Sequence, residues 1–265
     1  MSASTLWAHW LALWSSTFLA TTALAMATEV AVVGRFDGPE GSPPPPPWRL
    51  VRFSDRIPPT RYRLRRWDGV AAVEARANAS MALLARPLSV DLEHTPVLCW
   101  RWRVEAPLHA ADLTRKSGDD YAARVYVAFR LPPGELSLAL RTKLALARRL
   151  FGADTPDAAL NYVWDNRHPI GFTAPNAYTA QTRMIVAQSG ASRAGVWVEE
   201  RHDVLADARR TFGTEHLTPT VLALATDTDN TGESALAGFA DLHFVEREQP
   251  CQFPLPAAGS AESSR

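Results

Sequence analysis

The chain has 265 residues with 46% hydrophobic content, enough for one substantial core, and its 28 basic and 28 acidic side chains cancel. No run of Lys or Arg exceeds two, so there is no electrostatic footprint for a phosphate backbone, which argues against nucleic acid as a partner. Two cysteines, Cys99 and Cys251, exclude a disulfide framework and a CxxC zinc site, and leave a single bridge open if they meet in space.

From Met1 to Thr28 there is no Lys, Arg, Asp or Glu, and Leu11 to Met26 is apolar with small residues at its end. That is the pattern of a secretory signal peptide over residues 1–27, with small-x-small cleavage sites at Ala23-Leu24-Ala25 and Ala25-Met26-Ala27. The expected location is periplasmic or secreted. The missing positive charge near the start keeps an uncleaved anchor as the alternative, and membrane contact is expected only in that case.

Residues 28–47 read as an N-terminal strand, Glu29 to Phe36, and a Pro-rich connector ending in five consecutive prolines, Pro43 to Pro47. Residues 48–247 read as the domain proper. Short segments separated by turn residues predict strands at Trp48 to Phe53, Arg61 to Trp67, Val70 to Ala77, Met81 to Val90 and Val97 to Val104. Asp68-Gly69 marks a hairpin between two of them. Trp100 and Trp102 alternate with Arg101 and Arg103, so one face of that strand presents tryptophan and the other arginine. A strand from Tyr121 to Leu131 leads into an inserted helix, Glu135 to Phe151, with leucines at helical spacing. Leu160 to Trp164, Arg183 to Gln188 and Val196 to Arg201 are further strands, and Asp203 caps a short helix through Phe212. The apolar run Val221 to Ala225 suits a strand covered on both sides, and Leu236 to Val245 is the last strand. The Pro-, Ala- and Ser-rich tail, residues 248–265, is expected to be disordered. This pattern predicts a mainly β fold: a two-sheet antiparallel β-sandwich of jelly-roll type, with one inserted helix and one short helix.

Three stretches carry candidate chemistry. Asp119, Asp120, Tyr121 and Arg124 put two carboxylates, a ring and a cation at the mouth of a strand, suited to a cation, to acid–base work or to sugar hydroxyls. A plain turn, with Arg124 paired to one of the two carboxylates, explains the same residues structurally. Asp227, Asp229 and Asn230 open like a calcium loop, but the twelfth position is Gly238, where a bidentate Glu is needed, so an EF-hand is rejected. Calcium in another geometry stays open, and no other cofactor is expected. Asn161 and Trp164, with Asn176 and Tyr178, supply the amides and rings that sugars use; for Tyr162 and Trp164, which share a strand face, burial is the competing reading. The histidines are scattered, Ser192 is a turn residue, and Glu199 and Glu200 point to opposite faces, so no catalytic residue can be assigned.

The stretches GDDYAARVYVAF, NYVWDN, PNAYT, RMIVAQSG, GVWVEERHDVLADARRTFG and ALATDTDNTGESALAGFADLHF together resemble the bacterial family known as domain of unknown function 3047, from about Trp48 to Val245. The resemblance implies no activity. The helix Val204 to Phe212 after the Trp197 strand is also similar to an element of galactose-binding-like jelly rolls, an analogy of fold alone. The expected function is a non-catalytic module for a glycan or another small polar ligand. The alternatives are a carboxylate-based glycoside hydrolase or lyase and a calcium-braced structural envelope protein.

Overall fold

The computed structural model describes residues 30–255, apart from 137, 140, 143 and 146–155. The predicted export segment, the end of the tail and much of the predicted inserted helix lie outside the described residues. The strands of the first half are β1 (Ala31–Gly34), β2 (Arg49–Val51), β3 (Arg61–Trp67), β4 (Val70–Asn78), β5 (Leu83–Pro87), β6 (Val97–Val104) and β7 (Tyr121–Arg130). Those of the second half are β8 (Ala158–Asp165), β9 (Thr173–Pro175), β10 (Thr182–Ser189), β11 (Val198–Asp203), β12 (Thr218–Asp227) and β13 (Ser234–Val245), with helix α1 (Val204–Phe212) after β11. Among the described residues no helix is long and apolar enough to cross a membrane.

The strands form two stacked sheets. Sheet A has the order β11-β6-β13-β4-β3, with β1 added on β13, and sheet B the order β2-β5-β12-β7-β8-β10-β9. Their inner faces interdigitate through Trp100 and Trp102 of β6, Val125, Val127 and Phe129 of β7, Tyr162 and Trp164 of β8, and Phe239 and Phe244 of β13. In β13 the inward phase changes from Phe239 to Leu242, and the bulge that absorbs the extra residue puts Asp241 at φ 56°. Helix α1 starts as the sequence predicts: Asp203 Oδ1 accepts the Ala206 N–H at 2.8 Å, and Gly213 closes the other end in the left-handed region at φ 67°.

Four features depart from the sequence reading. β1 pairs with β13, so the N-terminal strand is part of the sandwich and not a preceding appendage. β8 and β10 run parallel, joined by a crossover that adds β9 on the outer edge of sheet B. The arginine face of β6 is covered as well: Arg103 lies against the Trp67 ring at 4.2 Å, and Gly238 leaves room for Trp67 and Trp197, whose atoms would lie 3.2 and 2.9 Å from a Cβ there. Finally, the start of the tail is docked. Cys251 forms a disulfide with Cys99, Pro254 accepts a hydrogen bond from Arg35, and Phe253 lies edge-on to His243 at 5.4 Å.

The disulfide closes a loop with a sequence separation of 152, and such a long closure restricts the unfolded chain strongly. Cys251→Ser should cost about 2–4 kcal/mol, lowering the thermal midpoint by roughly 5–15 °C, with amide exchange accelerating first in residues 246–255. Burial lowers the pKa of His243 below its ordinary 6.5, against the smaller upward pull of Asp241. A depressed imidazole contributes stability that is complete above 6.5 and is lost as pH falls through the folded value. Thermal melts at pH 7.5 and pH 5 should therefore show a steeper acid loss for the wild type than for His243→Gln.

Candidate functional site

The outer face of sheet B carries Arg124 and Tyr126 of β7, Asn161 and Val163 of β8 and Met184 of β10, brought side by side by the strand register. The register follows from the apolar alternation of these strands, which commits Val125, Val127 and Leu160 to the core and the intervening residues to the other side. Leu113 and Phe172, from the segments before β7 and before β9, pack over Val163, Met184 and Tyr121, so this face is covered and largely dry.

Within it Arg124 is 2% exposed. It pairs with Asp227 Oδ2 at 2.9 Å and lies 4.9 and 5.0 Å from the ring centres of Tyr121 and Tyr126. The plain-turn reading paired Arg124 with Asp119 or Asp120; the partner is instead Asp227, on β12. Asp119 and Asp120 reach to different loops. Asp119 Oδ1 accepts the Tyr121 hydroxyl at 2.7 Å and Asn176 Nδ2 at 2.9 Å, drawing in the crossover between β8 and β10. Asp120 Oδ2 accepts the backbone N–H groups of Asn230 and Thr231 at 3.1 and 2.6 Å, holding the β12–β13 loop.

Asp120, Asp227 and Asp229 each offer one carboxylate oxygen to a cluster in which these atoms lie within 4.8 Å of one another. Burial pushes the Asp227 carboxyl well above the usual range; Arg124 pulls it down in part, and Asp120, Asp119 and Asp229 add to the upward push. Asp229 is also raised, by burial first and Asp120 next. Arg124 supplies the positive charge in the group, and the Oδ1 of Asp227 and the Oδ1 of Asn161 are buried without a partner.

The sequence-predicted residues separate accordingly. Asp119, Asp120, Tyr121, Arg124, Asn176, Asp227, Asp229 and Asn230 come together in one network of hydrogen bonds and charges. Tyr178 joins at its rim, 57% exposed, with its hydroxyl donating to the Lys116 carbonyl and Lys116 Nζ 5.3 Å from its ring centre. Asn161 lies beneath the network, fully buried, its Nδ2 on Met184 Sδ at 3.5 Å. Trp164 is a correction: it points the other way, into the inter-sheet core against Trp102, with Nε1 on the Gly190 carbonyl. Its parity with Tyr162 places it there, so it does not line the site. Thr231, Tyr126 and Lys116 were not foreseen. Thr231 acts through its backbone N–H and Lys116 accepts through its carbonyl, which side-chain patterns do not reveal, while the Lys116 ammonium also reaches Tyr178; Tyr126 is legible from its i+2 spacing to Arg124.

Clefts of about 370, 410 and 230 Å³ are centred elsewhere, the first beside Arg130 and His216, the second beside Arg76 and Glu105, the third beside the disulfide. Trp164→Ala should destabilise by about 3–5 kcal/mol, whereas Tyr178→Ala should stay within about 0.5 kcal/mol. Urea denaturation of both variants separates a core tryptophan from a rim tyrosine.

Residues 46–243 match the family described as protein of unknown function (DUF3047), and the chain belongs to it. No functionally curated protein matches the sequence. Among solved structures it is similar to a family 30 carbohydrate-binding module, at TM-score 0.36 and 9% identity over 86% of this chain and 88% of that one. It is also similar to the xyloglucanase domain of NopAA, a type three effector from Sinorhizobium fredii, in complex with cellobiose, at TM-score 0.39 and 8% identity over 76% of this chain and 93% of that one. At these scores the likenesses carry no argument about ligand.

Proposed function

We propose that this member of the DUF3047 family is an exported, non-catalytic binding module that takes a polyhydroxylated ligand, a glycan or a related polar molecule, at the rim of the Asp119–Asp120–Asn176 network, where Tyr178, Asp229 and Asn230 reach solvent. The observation that carries the reading is the convergence of three separate chain segments, around residues 116–124, 176–178 and 227–231, on one hydrogen-bonded patch bordered by the exposed ring of Tyr178. Amide and carboxylate groups satisfy hydroxyls, and an exposed ring beside them offers the apolar surface on which a sugar face stacks.

A hydrolase geometry is less well supported. Carboxylates acting across a glycosidic bond stand about 5–5.5 Å apart or more with substrate between them. Here Asp120, Asp227 and Asp229 crowd together, and Asp120 and Asp227 are each only 1% exposed. Export is supported by the apolar residues before the described part and by the Cys99–Cys251 disulfide, a bond that persists in oxidising compartments.

The test is titration calorimetry of the whole chain against a panel of neutral and uronate-bearing oligosaccharides. Binding by one class, weakened about tenfold or more by Tyr178→Ala with unchanged melting behaviour and also weakened by Asn176→Ala, which releases the crossover from Asp119, is the expected outcome. No binding across the panel, or binding indifferent to both variants, removes the reading.

A further inference from the structure

We propose that Asp120, Asp227 and Asp229 form a divalent-cation site of the calcium class, whose remaining coordination positions are filled by hydroxyls of the bound ligand. The role given to the ion rests on the binding-module reading; the site itself does not.

The donor atoms decide the class of ion. All three are carboxylate oxygens within 4.8 Å of one another, with no imidazole or thiolate in the group, which is the preference of a hard cation. A second feature points into the same place. Asp227 is 1% exposed, its Oδ2 is engaged by Arg124, and its Oδ1 is buried with no hydrogen-bond partner. A native fold seldom leaves a buried carboxylate oxygen unmet, because its desolvation then goes uncompensated. Water would answer that one acceptor but not the charge that Asp120, Asp227 and Asp229 concentrate in one place, beside which Arg124 is the ion-paired guanidinium.

The site is also held in shape without an ion. Backbone N–H groups of Asn230 and Thr231 fix the Asp120 carboxylate, and Arg124 fixes Asp227, so two of three ligands are positioned by groups outside the cluster. Arg124 leaves Asp227 one oxygen to give, and Asp120 shares its oxygens with two N–H donors. Three carboxylates of this kind fall short of the six to eight oxygens that calcium takes. The shortfall lies toward Asp229 and Asn230, where the cluster opens to solvent, and vicinal hydroxyls are oxygen donors of the right kind. Magnesium, which keeps several of its waters and uses one or two carboxylates, fits three clustered carboxylates less well.

The experiment is calorimetric titration of the EDTA-stripped whole chain with calcium chloride alone, repeated with magnesium chloride and followed by thermal melts. One ion per chain is expected, with magnesium at least tenfold weaker, and a midpoint raised by several degrees at about a hundred times the dissociation constant. Asp229→Asn should weaken calcium at least tenfold. Asp227→Asn should do the same; should it fail to fold because Arg124 has lost its partner, the half-buried Asp229 still decides. No calcium heat and no melt shift, equal affinity for magnesium, or calcium binding untouched by Asp229→Asn would each overturn the site. Calcium binding with no oligosaccharide binding leaves the ion site standing and removes the ligand; oligosaccharide binding indifferent to EDTA keeps the module and overturns the ion's part in holding the ligand.

Discussion

The buried ion pair between Arg124 and Asp227 is the constraint around which the outer face of sheet B is arranged. A guanidinium that has left water must have its charge and donors answered nearby, and removing one partner of such a pair typically costs about 3–5 kcal/mol. Asp227 answers the charge from the neighbouring strand, while the rings of Tyr121 and Tyr126 provide faces on which the cation can rest. The consequences spread outward from there. Tyr121 donates its hydroxyl to Asp119, Asp119 receives Asn176, and Asn176 fixes the crossover that carries Tyr178 to the rim. On the other side Asp120 fastens the β12–β13 loop and brings it beside Asp227.

Much of the sandwich is legible in the sequence because each strand obeys a local rule. β3 and β6 begin and end where alternation predicts, and the strand read from Val221 to Ala225 is buried on both faces, with Leu222 and Leu224 in the core and Ala223 and Ala225 beside Tyr126 and Arg124 on the other side. What is not legible depends on pairings between distant segments. The parallel placement of β8 and β10 leaves no mark in either strand, yet it creates the crossover that delivers Asn176. The tail has a composition that suggests disorder, yet Cys251 ties it to β6, and Phe253 and Pro254 dock beside it on His243 and Arg35. The candidate site shows the same division. Its carboxylates and amides are recognisable by type, but Asp120 could be assigned to the β12–β13 loop only once the two ends were seen together, and Trp164 was misplaced because an aromatic on a strand looks alike from either face.

The two sheets differ in how their outer charges are balanced, and the difference singles out sheet B. On sheet A, Arg101 meets Asp241, Arg103 meets Asp68 and Glu105, and Arg65 and Arg76 share Glu74. Each of these acids has a guanidinium at hand. On sheet B the excess runs the other way. Asp119, Asp120, Asp227 and Asp229 gather around Arg124, in a place where burial makes charge repulsion expensive. Folding alone does not call for a charge at every one of these positions: an amide at position 120 would still present one oxygen to the Asn230 and Thr231 N–H groups. Concentrated negative charge of this kind is what the proposed cation would offset.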